Sequence, residues 1–171
     1  KFIHVGRLDP IKNQVMLVRA FVAAKLPEDA CLTIVGAGEE EQNLRNVIAE
    51  LNAAKRVTLY GAADKATVVK LLEEHDAFVL ASRYETFGVV LIEAMSMGLP
   101  VLSTDCLGAK EIVTDLGVGM LVPCNQNALT AGLEAIVKQS FDPAFIRQFV
   151  QQRFSNQALA ERLVRVYKTV L

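Results

Sequence analysis

Several features that would assign a protein to a special class are missing from this sequence. Its three cysteines are an odd number, and none lies in a CxxC or CxxH pair, which argues against a disulfide framework or a structural zinc site. No run approaches the roughly twenty apolar residues that a membrane-spanning helix requires. The N-terminus also lacks the basic and apolar regions of a secretory signal. We therefore expect a reducing, cytoplasmic setting.

The sequence also has no excess of charge of one sign. The 18 Lys and Arg residues nearly balance the 19 Asp and Glu residues, and the two kinds are scattered along the chain. No extended basic surface for nucleic-acid phosphates is predicted, so nucleic acid is not an expected partner. The sequence also contains no Asp-x-Asp, HxxxH or HExxH motif that would hold a metal ion at a phosphate group. We expect neither a metal nor a cofactor.

What the sequence does contain is an alternation of short strands and helices. The predicted strands are apolar on consecutive positions and lie at residues 2–5, 31–35, 56–60, 77–80, 100–103 and 120–122. Helical spacing occurs at 15–24, 39–53, 67–74 and 88–97, and after the last strand at 127–138, 142–152 and 156–171. This order predicts an α/β fold, a doubly wound, Rossmann-like parallel sheet of about six strands with helices on both faces and a helical C-terminal tail. A single domain over residues 1–171 is expected.

The loops that leave the strands are the first candidates for a site, because ligands of a doubly wound sheet bind at the carboxyl ends of its strands. The loop after the first strand contains Arg7 and Lys12. An arginine can grip a phosphate with two parallel hydrogen bonds and a lysine adds a point charge, so the pair suits a diphosphate. The alternative is that both residues are solvated loop charges.

The loop after the fourth strand leads into an unusually apolar helix. Glu93 is the only ionisable residue between Thr86 and Thr104, and we expect it to be partly buried and in need of partners. A ribose diol could donate two hydrogen bonds to this carboxylate, but an internal ion pair or backbone donors would serve as well. Glu85 could contact a sugar or cap the helix, and Gly88 would let an anion approach the helix N-terminus.

Weaker signals surround these loops. Gly36 and Gly38 follow the second strand, where they would permit close approach of a ligand, but they do not complete a GxGxxG fingerprint. His4 and His75 each stand alone and are expected to be ordinary core or surface residues rather than catalytic ones. The serines lack a GxSxG setting, so a hydrolase triad is not supported.

Together these segments resemble the C-terminal domain of the retaining glycosyltransferases of family 4, also called glycosyl transferases group 1, which have the GT-B architecture. The resemblance covers nearly the whole chain and depends on the order and spacing of the segments, above all on Glu85 and Glu93 with seven residues between them. The matching segments are Gly6-Arg7-Leu8 with Lys12, 35–38, 57–61, 76–80, 85–88, 93–95, 98–101, Gly108, 111–113 and 119–122.

The resemblance implies three catalytic residues: Arg7 and Lys12, which would bind the diphosphate and stabilise the leaving nucleotide, and Glu85, which would contact the donor sugar. Glu93 would hold the ribose hydroxyls. The other implied donor-binding positions are Gly6, Gly36, Gly38, Gly61, Phe87, Gly88 and Val89. The donor would be a nucleoside diphosphate sugar, with UDP preferred, and the sugar would be transferred with retained configuration and without a metal.

The resemblance also implies an acceptor-binding N-terminal domain that is missing from this chain. That half could make a peripheral membrane contact, and the fragment alone is expected to be inactive. A role in cell-envelope or exopolysaccharide assembly is expected by analogy. Leu107 and Ala81 depart from the family pattern, where glycine and proline are frequent, and predict an altered loop shape.

Two other functions remain open: a sugar-nucleotide epimerase of similar architecture, and a non-catalytic nucleotide-sugar-binding paralogue. The retention of all four charged residues argues against the paralogue, because buried charges without a ligand are costly.

Overall fold

The fold is built on one six-stranded parallel sheet. A computed structural model describes residues 1–169 completely and the backbone of residue 170. The strands are β1 (Phe2–Val5), β2 (Leu32–Val35), β3 (Val57–Gly61), β4 (Ala77–Leu80), β5 (Val101–Thr104) and β6 (Gly119–Val122). They lie side by side in the order β3-β2-β1-β4-β5-β6, and all neighbours are parallel. The predicted doubly wound, Rossmann-like sheet is confirmed, with each strand close to its predicted bounds.

Eight helices are found in the described part of the chain. They are α1 (Gln14–Ala23), α2 (Glu41–Glu50), α3 (Lys65–Glu73), α4 (Val89–Ser96), α5 (Leu107–Ile112), α6 (Gln126–Ile136), α7 (Pro143–Phe154) and α8 (Asn156–Val170). The predicted tail helix is confirmed as α8, although Leu171 lies outside the described residues. The sequence did not predict α5, because its six residues are too few to show a helical period and include Gly108.

Two apolar layers cover the two faces of the sheet. Consecutive strand residues point to opposite faces, so Phe2 packs in the layer with α1, α2 and α6, whereas Ile3 packs in the layer with α3, α4, α5 and α7. Val79 and Phe78 divide between the layers in the same way. The consecutive apolar positions of the strands are therefore explained by burial on both faces.

Side chains that cap helices explain where several of them begin. Asp64, Asn125 and Asp142 accept hydrogen bonds from backbone N–H groups in the first turns of α3, α6 and α7. The tail helix α8 packs on α7, and it leaves Leu163 and Tyr167 largely exposed. None of the helices in the described range combines the length and apolar character needed to cross a bilayer.

His4 is a polar residue in the centre of the core. Its side chain is fully buried on β1, where Nδ1 donates to Val79 O at 2.9 Å and Nε2 lies 3.2 Å from Gln14 Nε2. Burial disfavours the charged ring and lowers the pKa of His4 to about 4. His4 is therefore a core residue, which is one of the two locations that the sequence predicted for it.

This buried imidazole makes the stability of the chain depend on pH. Because the folded-state pKa lies below the unfolded value of about 6.5, the unfolded chain binds a proton first, and stability is lost as the pH falls from about 6.5 towards 4. We expect urea unfolding to report a loss of about 2 kcal/mol between pH 7 and pH 5.

The His4→Phe variant is the control for this dependence and should lose much less stability over the same interval. Burial also lowers the pKa of His75, so a smaller residual loss of the same sign is expected. An unchanged slope in His4→Phe would assign the pH dependence to other groups.

Candidate functional site

The crevice between β1 and β4 lies where the strand order reverses. The helices after these two strands pack on opposite faces, α1 on one and α4 on the other. The loops that lead to them diverge at the carboxyl end of the sheet, which is where a doubly wound fold binds its ligands. The first loop, residues 6–13, and the second, residues 81–88, contain the charged residues Arg7, Lys12 and Glu85.

Asp9 organises the loop after β1. Its carboxylate accepts hydrogen bonds from Ile11 N and Lys12 N, both at 3.0 Å, and from Arg7 Nε at 3.1 Å. Burial alone would raise the pKa of Asp9, but these bonds from Lys12, Arg7 and Ile11 together lower it. The Arg7 side chain remains 74% exposed, so its guanidinium is oriented by Asp9 and still open to a ligand.

Sequence reasoning missed Asp9, although a signal was present. An aspartate that precedes a proline in a loop is typical of an Asx-turn, in which the carboxylate binds backbone N–H groups two and three residues further on. The bonds to Ile11 and Lys12 have this spacing.

Lys12 and Glu85 join the two loops across the crevice. Lys12 Nζ lies 2.5 Å from Glu85 Oε1, and Ser82 Oγ donates to the same oxygen at 2.8 Å. The backbone supports this contact, because Arg83 N donates to Ile11 O at 2.8 Å. The two charged side chains are only 23% and 10% exposed. The interpretation of Lys12 as a solvated loop charge is therefore wrong.

The alternative role of Glu85 as a helix cap is also wrong. The N-cap of α4 is Gly88, at φ +86°, and no side chain caps this helix. The free N–H groups of the first turn can therefore donate hydrogen bonds to an anion. Phe87 and Val89 are exposed beside them.

The loop after β4 is braced by β5 and α5. Thr104 Oγ1 donates to Ser82 O at 2.5 Å, and Gly108 N donates to Glu85 O at 3.0 Å. A Cβ atom at Gly108 would overlap the backbone of Phe87. These contacts fix the backbone of the loop that contains Glu85. Neither Ser82 nor Thr104 was a sequence-based candidate, because nothing in their local pattern reveals a partner in another strand.

Glu93 departs from its predicted environment. It was expected to be partly buried, yet it is exposed. Leu91, Ala94 and Met95 form the buried stripe of α4, and Glu93 lies on the opposite face with Val89. Within residues 1–169, no cation lies in ion-pair range of this carboxylate. The expected partial burial and the alternative of an internal ion pair are therefore both wrong, and the group faces solvent.

The ion pair bears on how the four charged residues of the site are interpreted. Lys12 and Glu85 compensate each other within the chain, so the retention of these two charges does not by itself require a ligand. Arg7 and Glu93, whose charged ends are exposed, are the residues that bear on ligand binding.

The glycines after β1, β2 and β3 bring three loops together. Leu8 N donates to Ala37 O at 3.0 Å, and Gly36 N donates to Gly61 O at 2.8 Å. A Cβ atom at Gly36 would overlap the carbonyl of Gly6, and one at Gly38 would overlap that of Leu8. At Gly61 the space is open, but φ is +88°, a conformation that favours glycine. Backbone packing and conformation thus account for these glycines.

A second cleft, of about 760 Å³, lies at the opposite end of the sheet, where Phe2, Ala77 and Pro100 line it. His75 also lines it, but both of its ring nitrogens are occupied by Leu71 O and Thr33 Oγ1. The crevice between β1 and β4 contains an exposed arginine and a partly buried ion pair, so it is the better candidate for binding a charged ligand.

The strand order and the crevice at the point of reversal define a Rossmann-like domain of the GT-B type. The apo structure of the lipopolysaccharide outer core galactosyltransferase WaaB has this fold, with a TM-score of 0.89, 23% identity, and coverage of 99% of this chain and 49% of that chain. The family model for glycosyl transferases group 1 matches residues 1–160. The chain belongs to this family.

Two further relatives are more similar to this chain in sequence than WaaB is. Over 141 residues the chain is 37% identical to the N-acetylgalactosamine-N,N'-diacetylbacillosaminyl-diphospho-undecaprenol 4-alpha-N-acetylgalactosaminyltransferase of Campylobacter jejuni, covering 81% of this chain and 38% of the relative. HepE of Anabaena, solved in complex with UDP, has a TM-score of 0.81 and 28% identity, over 96% of this chain and 48% of that chain. The chain spans about half the length of these proteins or less.

The ion pair across the crevice predicts a specific pattern of stability changes. Lys12→Met leaves Glu85 buried without a counter-charge, and we expect a loss of about 2–3 kcal/mol in urea unfolding at pH 7. The double variant Lys12→Met/Glu85→Gln should recover most of the lost free energy of unfolding, because the neutral amide can still accept a hydrogen bond from Ser82. The matched control is Arg45→Met, which breaks the exposed pair with Glu41 and should cost under about 0.5 kcal/mol. Equal losses in the two single variants would contradict a buried pair.

Alanine substitutions at Gly38 and Gly61 should differ in their effect on stability. Gly38→Ala should lower the free energy of unfolding by about 3 kcal/mol, because its methyl group forces two loop backbones apart. Gly61→Ala should cost about 1–2 kcal/mol, since only its positive φ is unfavourable. Denaturant unfolding of both variants measures the difference, and the reverse order would refute the close backbone packing.

Proposed function

We propose that this chain is the donor-binding half of a retaining glycosyltransferase that moves a sugar from a nucleoside diphosphate sugar to an acceptor. The observation that best supports the proposal is the Lys12–Glu85 contact across the crevice, with the exposed Arg7 in the same loop as Lys12. Arg7 and Lys12 lie on the β1 side of the crevice and Glu85 lies on the β4 side. Cations and a carboxylate in this arrangement suit a ligand with a diphosphate and a hydroxyl-rich sugar.

The proposed work of Arg7 and Lys12 is electrostatic. When the bond between the sugar and the diphosphate breaks, negative charge grows on the departing nucleotide, and preorganised cations lower the energy of that state. Asp9 holds Arg7 by one nitrogen only, which leaves the other guanidinium nitrogens for phosphate oxygens. Lys12 would share its ammonium between Glu85 and the diphosphate, and no metal would be needed.

The carboxylates and glycines would place the donor. Glu85 would accept hydrogen bonds from the sugar, and the exposed Glu93 would accept them from the ribose. The uncapped N-terminus of α4 at Gly88 would receive a phosphate. The base would lie near the loops at Gly36 and Gly61, and we propose UDP as the nucleotide because HepE, a related structure, is solved with UDP.

The acceptor would be bound by a second domain, as the shorter span of this chain relative to its relatives suggests. Any membrane contact would belong to that half, and polysaccharide assembly is the process we propose.

Nucleotide binding by this chain tests the proposal. Titration with UDP, GDP and ADP, followed by NMR or calorimetry, should detect binding of one nucleotide with a Kd of about 10 mM or tighter, a free energy of roughly 3 kcal/mol. Arg7→Ala should weaken it at least about tenfold, because it removes a charge-assisted contact. Glu93→Ala should abolish most of the binding.

The control for Glu93→Ala is Glu73→Ala, which removes an exposed acid at the opposite end of the sheet and should bind as the wild type does. If no nucleotide binds, or if the Arg7 and Glu93 variants match the wild type, the site assignment is wrong. Binding without sugar transfer by the enzyme that contains this domain would instead favour the non-catalytic paralogue.

A further inference from the structure

A chain of three polar contacts runs from β4 through β1 and α1 to the backbone of Arg7. His4 Nδ1 lies 2.9 Å from Val79 O, His4 Nε2 lies 3.2 Å from Gln14 Nε2, and Gln14 Nε2 lies 2.8 Å from Arg7 O. His4 is completely buried and Gln14 is 1% exposed. The two contacts of His4 are therefore buried, the contact to Arg7 O is partly buried, and the series ends on one residue of the candidate site.

The chemistry of these groups fixes the direction of each hydrogen bond. A carbonyl oxygen only accepts, so His4 Nδ1 must donate to Val79 O, and Nε2 of the neutral ring is left as an acceptor. The Gln14 amide nitrogen has two hydrogens, one for His4 Nε2 and one for Arg7 O. The flipped amide would place its oxygen against the Arg7 carbonyl, which excludes that orientation. Burial keeps the ring neutral by lowering the pKa of His4 to about 4.

The Gln14 amide combines two donated hydrogen bonds with one buried acceptor atom that has no partner in the described part of the chain. Its Oε1 atom is buried and has no hydrogen-bond partner within the described residues, which costs free energy that an apolar side chain of similar size would avoid. Methionine or leucine would avoid this cost but would leave His4 Nε2 and Arg7 O without the donor that Gln14 supplies. Of these two donated hydrogen bonds, the one to Arg7 O reaches the candidate site.

We propose that Gln14, oriented by His4, is a positioning residue that fixes the main chain of Arg7 and thereby aims the guanidinium into the crevice. Asp9 restrains the same arginine through Nε, so Arg7 is held at two points, one on its side chain and one on its backbone. Gln14 and His4 are too deeply buried to contact a ligand in the crevice. The proposal rests on the proposed function, because it assigns Arg7 a diphosphate to bind.

Replacement of Gln14 by a side chain of similar length tests this role. Gln14→Met should bind UDP about five- to tenfold more weakly, because the lost hydrogen bond frees the backbone of Arg7. In the Arg7→Ala background the same substitution should change the UDP affinity less than about twofold, since Gln14 acts only through Arg7. The matched control is Gln139→Met, which removes a glutamine donor to a backbone carbonyl, Leu116 O, far from the crevice and should leave UDP binding unchanged.

A second variant separates positioning from folding. His4→Phe keeps the ring stacked on Phe78 and leaves the bond from Gln14 to Arg7, so its stability should fall while its UDP affinity falls less than that of Gln14→Met. Nitrogen-15 NMR of the wild-type imidazole should find the proton on Nδ1. This last measurement does not depend on nucleotide binding.

The outcomes distinguish the two proposals. If the wild-type chain binds UDP and Gln14→Met binds it equally well, or loses the same factor with and without Arg7, the positioning role is overturned and the proposed function stands. The positioning role also falls if affinity merely follows stability in both variants, or if the His4 proton is on Nε2. If the wild type binds none of the three nucleotides, the proposed function fails and the positioning role fails with it.

Discussion

The ion pair between Lys12 and Glu85 links the two halves of the sheet at the point where the strand order reverses. One partner follows β1 and the other follows β4, and the helices after these strands pack on opposite faces. A pair so little exposed is tolerable only when its remaining hydrogen-bonding capacity is met. Ser82 supplies one such bond, and Thr104 holds Ser82 in turn. The arrangement of the loops around the crevice depends on this contact.

Close backbone packing also holds the loops beside the pair. Gly36 and Gly38 let the loop after β2 lie directly against the loop after β1, and Gly108 does the same for α5 and Phe87. Such packing leaves little freedom to the Arg7 segment before any ligand arrives. A preorganised cation stabilises growing charge without the cost of reorganisation, which is the property that a donor site for an activated sugar needs.

The candidate site combines groups that are predictable from local pattern with groups that are not. Arg7, Lys12, Glu85 and Glu93 could be chosen from the sequence, because they stand in loops or helices that follow predicted strands. The error over Glu93 came from counting apolar neighbours instead of placing them on a helix. Spacing of three and four residues puts Leu91, Ala94 and Met95 on one stripe and Glu93 on the other face, so this signal was available.

The sequence by itself determined the number of strands, the order of strands and helices along the chain, and the charged residues in the loops. Runs of consecutive apolar residues and glycines at loop boundaries are local properties of the chain, which is why these features could be predicted. Only the tertiary structure decided which of these residues meet. Lys12 and Glu85 are 73 positions apart, and His4 reaches Val79 over 75 positions. Such pairings follow from the spatial order of the strands, which places β1 beside β4, and no local pattern in the sequence encodes that neighbourhood.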